Sequence, residues 1–256
     1  MRMIGRAVAW ASILVCAYPF AGVAQTVNAT TIVGAAREAL GGDTNLAAIH
    51  SFVATGRTRQ LRGNNLVPIE FELSCEWPDR YVRRDEIPAQ DTGLAVSGFA
   101  GDDLIRGPLT RGGGPAGRGG VPPAPAAQVA ALKADVARML LGVMAGTLPS
   151  FPLTFTYVAV AEAPEGRADV VEASGPGGFS ARVFVQQTTH LPVMVTWNAQ
   201  PSVESRLYFA DYRDVSGVKW PFRIRRAVAG NTIEETTFDR VRMNVTIAAK
   251  KFEVPK

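Results

Sequence analysis

Cysteine and histidine are nearly absent: the 256 residues hold two of each. A zinc site takes three or four ligands, drawn mainly from thiolates and imidazoles, and four such residues in all leave little to build one from. Nucleophilic chemistry of the Ser-His-Asp or Cys-His kind would have to recruit His50 or His190. His190 lies in a turn beside Pro192 and His50 just ahead of a strand, and neither has a candidate nucleophile beside it. Adjacent carboxylates such as Asp102-Asp103 and Glu234-Glu235 make no acid/base pair, because neighbours on a strand point to opposite faces. A dominant charge is lacking as well. The chain carries 27 Lys+Arg against 23 Asp+Glu, a net +4, which argues against a nucleic-acid partner. Apolar residues are plentiful at 47%, enough for a globular core. No metal, cofactor or catalytic residue is expected, and the chain reads as a binding protein and not an enzyme.

The longest apolar run at the N-terminus, Ala7 to Phe20, is too short to span a bilayer comfortably and follows Arg2 and Arg6. With the small residues Gly22-Val23-Ala24 behind it, it reads as an export signal cleaved after Ala24. Bulky Val15 ahead of Cys16 speaks against lipidation there. Cleavage would remove Arg2, Arg6 and Cys16, leaving Cys75 as the one cysteine and a net charge of +2. The expected location is the periplasm, with no internal disulfide. Stability then rests on core burial, and ~230 residues suffice to bury roughly 70% of the unfolded surface. Residues 25–256 are expected to form a single domain.

Asn28 to Gly41 reads as a helix capped by Thr30 or Thr31 and stopped by Gly41-Gly42. Asp43 can cap a second short helix, Leu46 to Ile49. Strands follow. In Val67 to Trp77 the apolar residues Val67, Ile69, Phe71, Leu73, Cys75 and Trp77 alternate with Pro68, Glu70, Glu72, Ser74 and Glu76. That period of two over eleven residues marks a half-buried antiparallel strand. Ser51–Arg62 precedes it, Tyr81–Ile87 returns after the Pro78-Asp79 turn, and Leu94–Phe99 with Asp103–Arg106 form a hairpin.

Residues 107–125 contain seven Gly and five Pro in nineteen positions. Such a stretch cannot offset its ordering entropy with burial and is expected to be a flexible loop. Its Gly112-x-Gly114-x-x-Gly117 lacks the strand-to-helix context of a dinucleotide fingerprint. Ala126 to Ala145 reads as a helix whose stripe of Val129, Leu132, Val136, Leu140 and Val143 is broadened by Met139 and Met144. Lys133, Asp135 and Arg138 interrupt it, which argues against a membrane span. From Phe155 to Met243 strands recur at steady spacing with short turns between them, the pattern of a meander. The fold class expected is α+β: a curled antiparallel sheet of about ten or eleven strands forming an incomplete, half-open barrel, with helices covering its concave apolar face.

Phe71-Glu72-Leu73 followed by Trp77-Pro78-Asp79-Arg80-Tyr81 is similar to the strand, Pro-Asn turn, strand unit of the LolA/LolB-like lipoprotein carrier superfamily, which further segments also resemble. Ser97-Gly98-Phe99-Ala100-Gly101-Asp102-Asp103-Leu104-Ile105 is similar to its S-D-G-x-x-L-W hairpin, and Thr189-His190-Leu191-Pro192-Val193 to its T-G-L-P-V turn. Phe238-Asp239-Arg240-Val241-Arg242-Met243-Asn244, with Phe252 and Pro255 after it, resembles its closing signature. The resemblance implies an incomplete barrel with a hydrophobic cavity lidded by helices, and lipid-chain binding in the periplasm. The position before the turn, basic in the carriers, is Trp77 here.

The residues expected to line the cavity are Phe71, Leu73, Trp77, Leu140, Met144, Val183, Val195, Trp197, Trp220, Phe222 and Ile224. Three arginine groups, 57/59/62, 80/83/84 and 223/225/226, read as basic outer faces that could meet anionic headgroups. The expected partners are lipid or lipoprotein acyl chains, with transient membrane contact and a monomeric chain. The alternative is an envelope sensor or adaptor that binds a partner protein through loop 107–125.

Overall fold

The computed structural model describes residues 28–88, 93–107 and 123–253. The proposed export signal, Cys16, Pro255 and most of the glycine- and proline-rich stretch lie outside these residues. Helix α1 (Ala29–Ala39) is opened by Asn28, whose side chain accepts the Thr31 amide at 2.8 Å. The cap is therefore Asn28 and not Thr30 or Thr31: a carboxamide just ahead of the first turn satisfies one of its orphan donors. Gly41 and Gly42 end the helix with φ of 133° and 87°, values that favour glycine. Helix α2 is Asp43–Ala47, with Gly42 as its cap and Asp43 inside the first turn. Together α1 and α2 bury Ile32, Ala36, Leu40 and Leu46.

The strands are β1 (Ser51–Arg62), β2 (Asn65–Glu76), β3 (Arg80–Glu86), β4 (Ala95–Ala100), β5 (Asp103–Arg106), β6 (Thr154–Ala163), β7 (Gly166–Gly175), β8 (Phe179–Gln186), β9 (Pro192–Gln200), β10 (Val203–Val215), β11 (Val218–Val228) and β12 (Asn231–Met243). They number twelve, one or two above the expected count. All belong to one antiparallel sheet in the order β5-β4-β3-β2-β1-β12-β11-β10-β9-β8-β7-β6. Each hairpin pairs its neighbours, and the first and last strands meet in the middle. The edges β5 and β6 do not pair, so the barrel stays open. The one long connection runs from edge to edge and carries α3 (Pro125–Met144). That helix packs on β4 and β5 and on β8 through β11, inside the curl.

The main core fills the concave side. Trp220 is fully buried and meets Phe52 and Phe238 edge-on, with ring centroids 4.9 and 5.9 Å apart. Such pairs contribute about 0.5–1.5 kcal/mol each beyond their buried area. Cys75 lies on this face, as its alternation predicts. Gly56 sits at a bulge where β1 slips against β12, and a methyl group there would run into the Thr237 carbonyl. A second, smaller core lies on the convex side. Val53, Val82, Val96 and Ile105 pack there under Ile247 and Phe252 from the segment after β12. Ser51 Oγ donates to the Val245 carbonyl at 2.7 Å and Arg84 to the Lys251 carbonyl at 2.8 Å, which fixes that segment. The N-terminal strands are thus covered on both faces.

Candidate functional site

Inward-facing side chains change character along the central strands. Where α1 and α2 dock they are apolar: Phe52, Leu73, Trp220 and Phe222. Toward the β1–β2 and β11–β12 hairpins they become Thr58, Thr236, Glu234 and Arg226. Thr58 and Thr236 share a hydrogen bond at 2.9 Å across the β1–β12 pair. Between this polar end and the middle of α3 the sheet and helix leave a cleft of about 120 Å³. Its apolar lining is Phe71, Leu73, Tyr81, Met139, Trp197, Leu207, Ile224 and Phe238; its polar lining is Arg83, Asp135, Arg138, Arg226, Glu234 and Thr236.

Three guanidinium groups dominate the electrostatics. Arg83 follows Tyr81 by two residues on β3 and so shares its inward face. It donates to Asp85 at 2.7 Å and to Thr58 Oγ1 at 3.0 Å, and lies 4.7 Å from the centre of the Phe71 ring. Burial weakens its hold on the proton, but Asp85, Tyr81 and Glu234 outweigh burial and raise its pKa. Arg138, on α3, pairs with Asp135 at 2.7 Å and packs over Trp197 at 4.8 Å and Phe179 at 5.2 Å. Its pKa is lowered by burial and further by Arg226, against the pull of Asp135. Arg226 completes the inward series Trp220, Phe222, Ile224 and lies 5.7 Å from the Trp197 ring. Cations over indole faces gain about 0.5–2 kcal/mol, most when desolvated.

Of the eleven residues expected to line a cavity, the cleft brings together Phe71, Leu73, Trp197 and Ile224. Leu140, Met144, Val183, Val195, Trp220 and Phe222 are packed in the core beneath it. Trp77 lies just past the end of β2, half-buried, with its ring 5.9 Å from Phe52. Two arginine groups are split by the sheet and are not basic outer faces throughout. Arg223 and Arg225 face outward, where Arg225 lies over Tyr208, while Arg226 faces inward. Arg84 reaches out to Lys251, while Arg83 reaches in. The signal for this was the same alternation that placed Phe222 and Tyr81.

His50 and His190 are both exposed. Cys75 is fully buried, and desolvation pushes its thiol pKa up. Among the described residues no three or more His, Cys, Asp or Glu gather as a metal site. Among them, too, no helix is long and apolar enough to cross a membrane. Gly107 closes the β4–β5 pair by donating to the Val96 carbonyl at 3.0 Å, and Pro125 opens α3. The loop expected at 107–125 therefore has ordered ends, and its middle lies outside the described residues.

The sheet is curled, antiparallel and unclosed, with α1, α2 and α3 all packed into the core on its concave side and a cleft of mixed lining left beneath α3. No family model matches the sequence, and no curated protein matches it. Solved structures do. A LolA superfamily protein from Nitrosomonas europaea superposes with a TM-score of 0.56 at 13% identity, over 88% of this chain and 97% of that one. A domain described as an outer membrane lipoprotein-sorting protein, from Vibrio parahaemolyticus, gives 0.52 at 10% identity over 86% and 95%. A DUF1329 family protein from Desulfovibrio piger gives 0.52 at 8% over 88% and 97%. At these identities the likeness is one of fold. The chain is a divergent example of that fold, as its motif order suggests.

Proposed function

We propose that this protein is an exported carrier that holds the apolar chain of a lipid or lipoprotein between α3 and the concave face of its half-barrel. The observation that carries the reading is the cleft itself. An aromatic and aliphatic lining with a few convergent polar groups is the usual make-up of a small-molecule site. The likeness to a lipoprotein-sorting domain from Vibrio parahaemolyticus supports it. The cleft as it stands is small, since a cavity of about 150 Å³ admits benzene. A full chain therefore enters as α3 shifts, and Met139, unbranched and adaptable, is suited to give way.

The test is to express the full chain with its leader, purify the exported form and extract it with organic solvent for mass spectrometry. The expected result is a mature N-terminus at Gln25 and a co-purifying lipid. The delipidated protein should then bind a fluorescent fatty acid that the extracted lipid displaces. A protein that emerges without lipid and binds no apolar probe overturns the carrier reading.

A further inference from the structure

Two buried donors in the cleft have nothing to bond. Nε of Arg138 and Nε of Arg226 are cut off from solvent and lack a hydrogen-bond partner among the described residues. Buried N–H groups are nearly always paired, because an unpaired one loses its hydration and gains nothing in return. The two groups lie together, both against the Trp197 ring and both lining the same cleft. Nearby carboxylates do not account for them. Asp135 takes Nη1 of Arg138 and leaves Nε. Glu234 stands opposite Arg226 across the β11–β12 pair but accepts from Gln60 at 3.3 Å and from Thr236 at 3.5 Å. Arg226 joins no ion pair among the described residues, whereas Arg83, the third guanidinium, is satisfied by Asp85 and Thr58.

Two like charges side by side repel, and a half-buried setting screens that repulsion poorly. An oxyanion lying between them turns the repulsion into attraction and supplies acceptors to both forks. The planar guanidinium matches phosphate and carboxylate oxygens better than any other side chain. Directly beside the pair the lining is aliphatic, with Met139, Leu207 and Ile224. We propose that Arg138 and Arg226 together bind the oxyanion headgroup, phosphate or carboxylate, of an amphiphile whose chain lies along that aliphatic wall. This rests on the carrier reading and narrows its ligand to anionic amphiphiles. The same shift of α3 that admits the chain opens both Nε groups to the headgroup.

The experiment compares twelve-carbon amphiphiles below their micellar concentrations: dodecyl phosphate, dodecanoate and neutral dodecyl maltoside. Binding to the delipidated protein is read by tryptophan fluorescence and calorimetry. The wild type should bind the two anions about tenfold to a hundredfold tighter than the maltoside, the range expected for hydrogen bonds to charged groups. Arg226→Met should erase that preference, so that both anions bind it no tighter than the maltoside does. Arg138→Gln should do the same wherever its thermal melt shows it folded; Arg226→Met alone decides the matter otherwise. Preference for dodecyl phosphate over dodecanoate points to a phospholipid-type headgroup, equal binding to either oxyanion, and both support the proposal. Equal affinity for anions and maltoside in the wild type overturns the proposal while sparing the carrier reading. So does an equal loss for all three in Arg226→Met. Binding of none of the three overturns both.

Discussion

Cys75 shows how far a single residue's chemistry is set by its place in the sheet. Its side chain is fully buried, and desolvation, with a smaller push from Glu76, raises its pKa. Only the thiolate is a nucleophile, so the native protein should resist Ellman's reagent at mildly alkaline pH and react fully once denatured in urea. Rapid native-state labelling would show that the strand breathes open and that Cys75 is not held in the core. The pH dependence has a definite sign. The folded state holds the thiol proton more tightly than the unfolded chain, whose cysteine titrates near 8.5. The stabilisation is therefore complete below about pH 8.5 and declines above it, seen as a falling urea midpoint. The position of Cys75 was legible because alternation runs unbroken for eleven residues around it. Arg83 and Arg226 obey the same alternation, yet their charge made them read as outward-facing. Alternation fixes a residue's face, and charge overrides that inference only where the inner face is dry. Here the inner face carries a cleft with a partly polar lining, so the charged residues most relevant to the site were the ones hidden by their own chemistry.

At the scale of elements, α3 is built in two unlike halves. Its last turns are buried on every side: Leu140, Leu141, Gly142, Val143 and Met144. Phe209 from β10 lies flat against Gly142, so close that a methyl group would overlap its ring. The Tyr212 hydroxyl reaches the carbonyls of Gly142 at 2.8 Å and Pro192 at 2.6 Å. Gly142→Ala gains about 1 kcal/mol of helix propensity but overpacks the Phe209 contact, at a cost of about 1–3 kcal/mol. A net destabilisation is expected. Gly34→Ala on α1 meets open space and should stabilise by about 1 kcal/mol, the propensity gain alone. Urea titrations of the two variants should move in opposite directions; equal gains would mean that Phe209 does not hold the end of α3. The extent of α3 was legible from the Val129-to-Val143 stripe, to within one residue at each end: Pro125, read as the last residue of the loop, is its first. Its all-round burial near Gly142 was not, because that depends on the curl of a sheet whose strands lie elsewhere in the sequence. The Asn28 cap was missed for a local reason: Thr30 and Thr31 offer the same chemistry two and three residues later.

At the scale of the molecule, the sheet is two meanders joined down the middle by β1 and β12. The Thr58–Thr236 hydrogen bond across that seam links residues 178 apart, and a pairing so remote leaves no local trace in sequence. Short turns made the meanders legible; what closes them together is the long connection that returns through α3. That connection also defines how the cleft opens. The C-terminal end of α3 is buried on every side, while toward its N-terminus only one stripe, Val129, Val136 and Ala137, reaches the core, and the rest is held by contacts at the surface. Lys133 pairs with Asp102 at 3.1 Å, and Arg106 donates to Gln128 at 2.6 Å. Exposed pairs of this kind contribute about 0–1 kcal/mol each, far less than the packing of Leu140 to Met144. The first half is therefore the part that moves to admit a chain, hinging toward the buried end. Hydrogen exchange should show residues 126–138 opening faster than residues 139–144 in the free protein, because local opening follows local burial. A bound amphiphile should slow the first half selectively. At a concentration about 100 times its dissociation constant it should add about 2.7 kcal/mol of stability. On a chain of this size, where each kcal/mol moves the melting temperature by about 2–4 °C, that is a rise of roughly 5–10 °C. Uniform protection along α3, unchanged by ligand, would mean that the helix is fixed, and a cleft of this volume would then take only a headgroup-sized molecule.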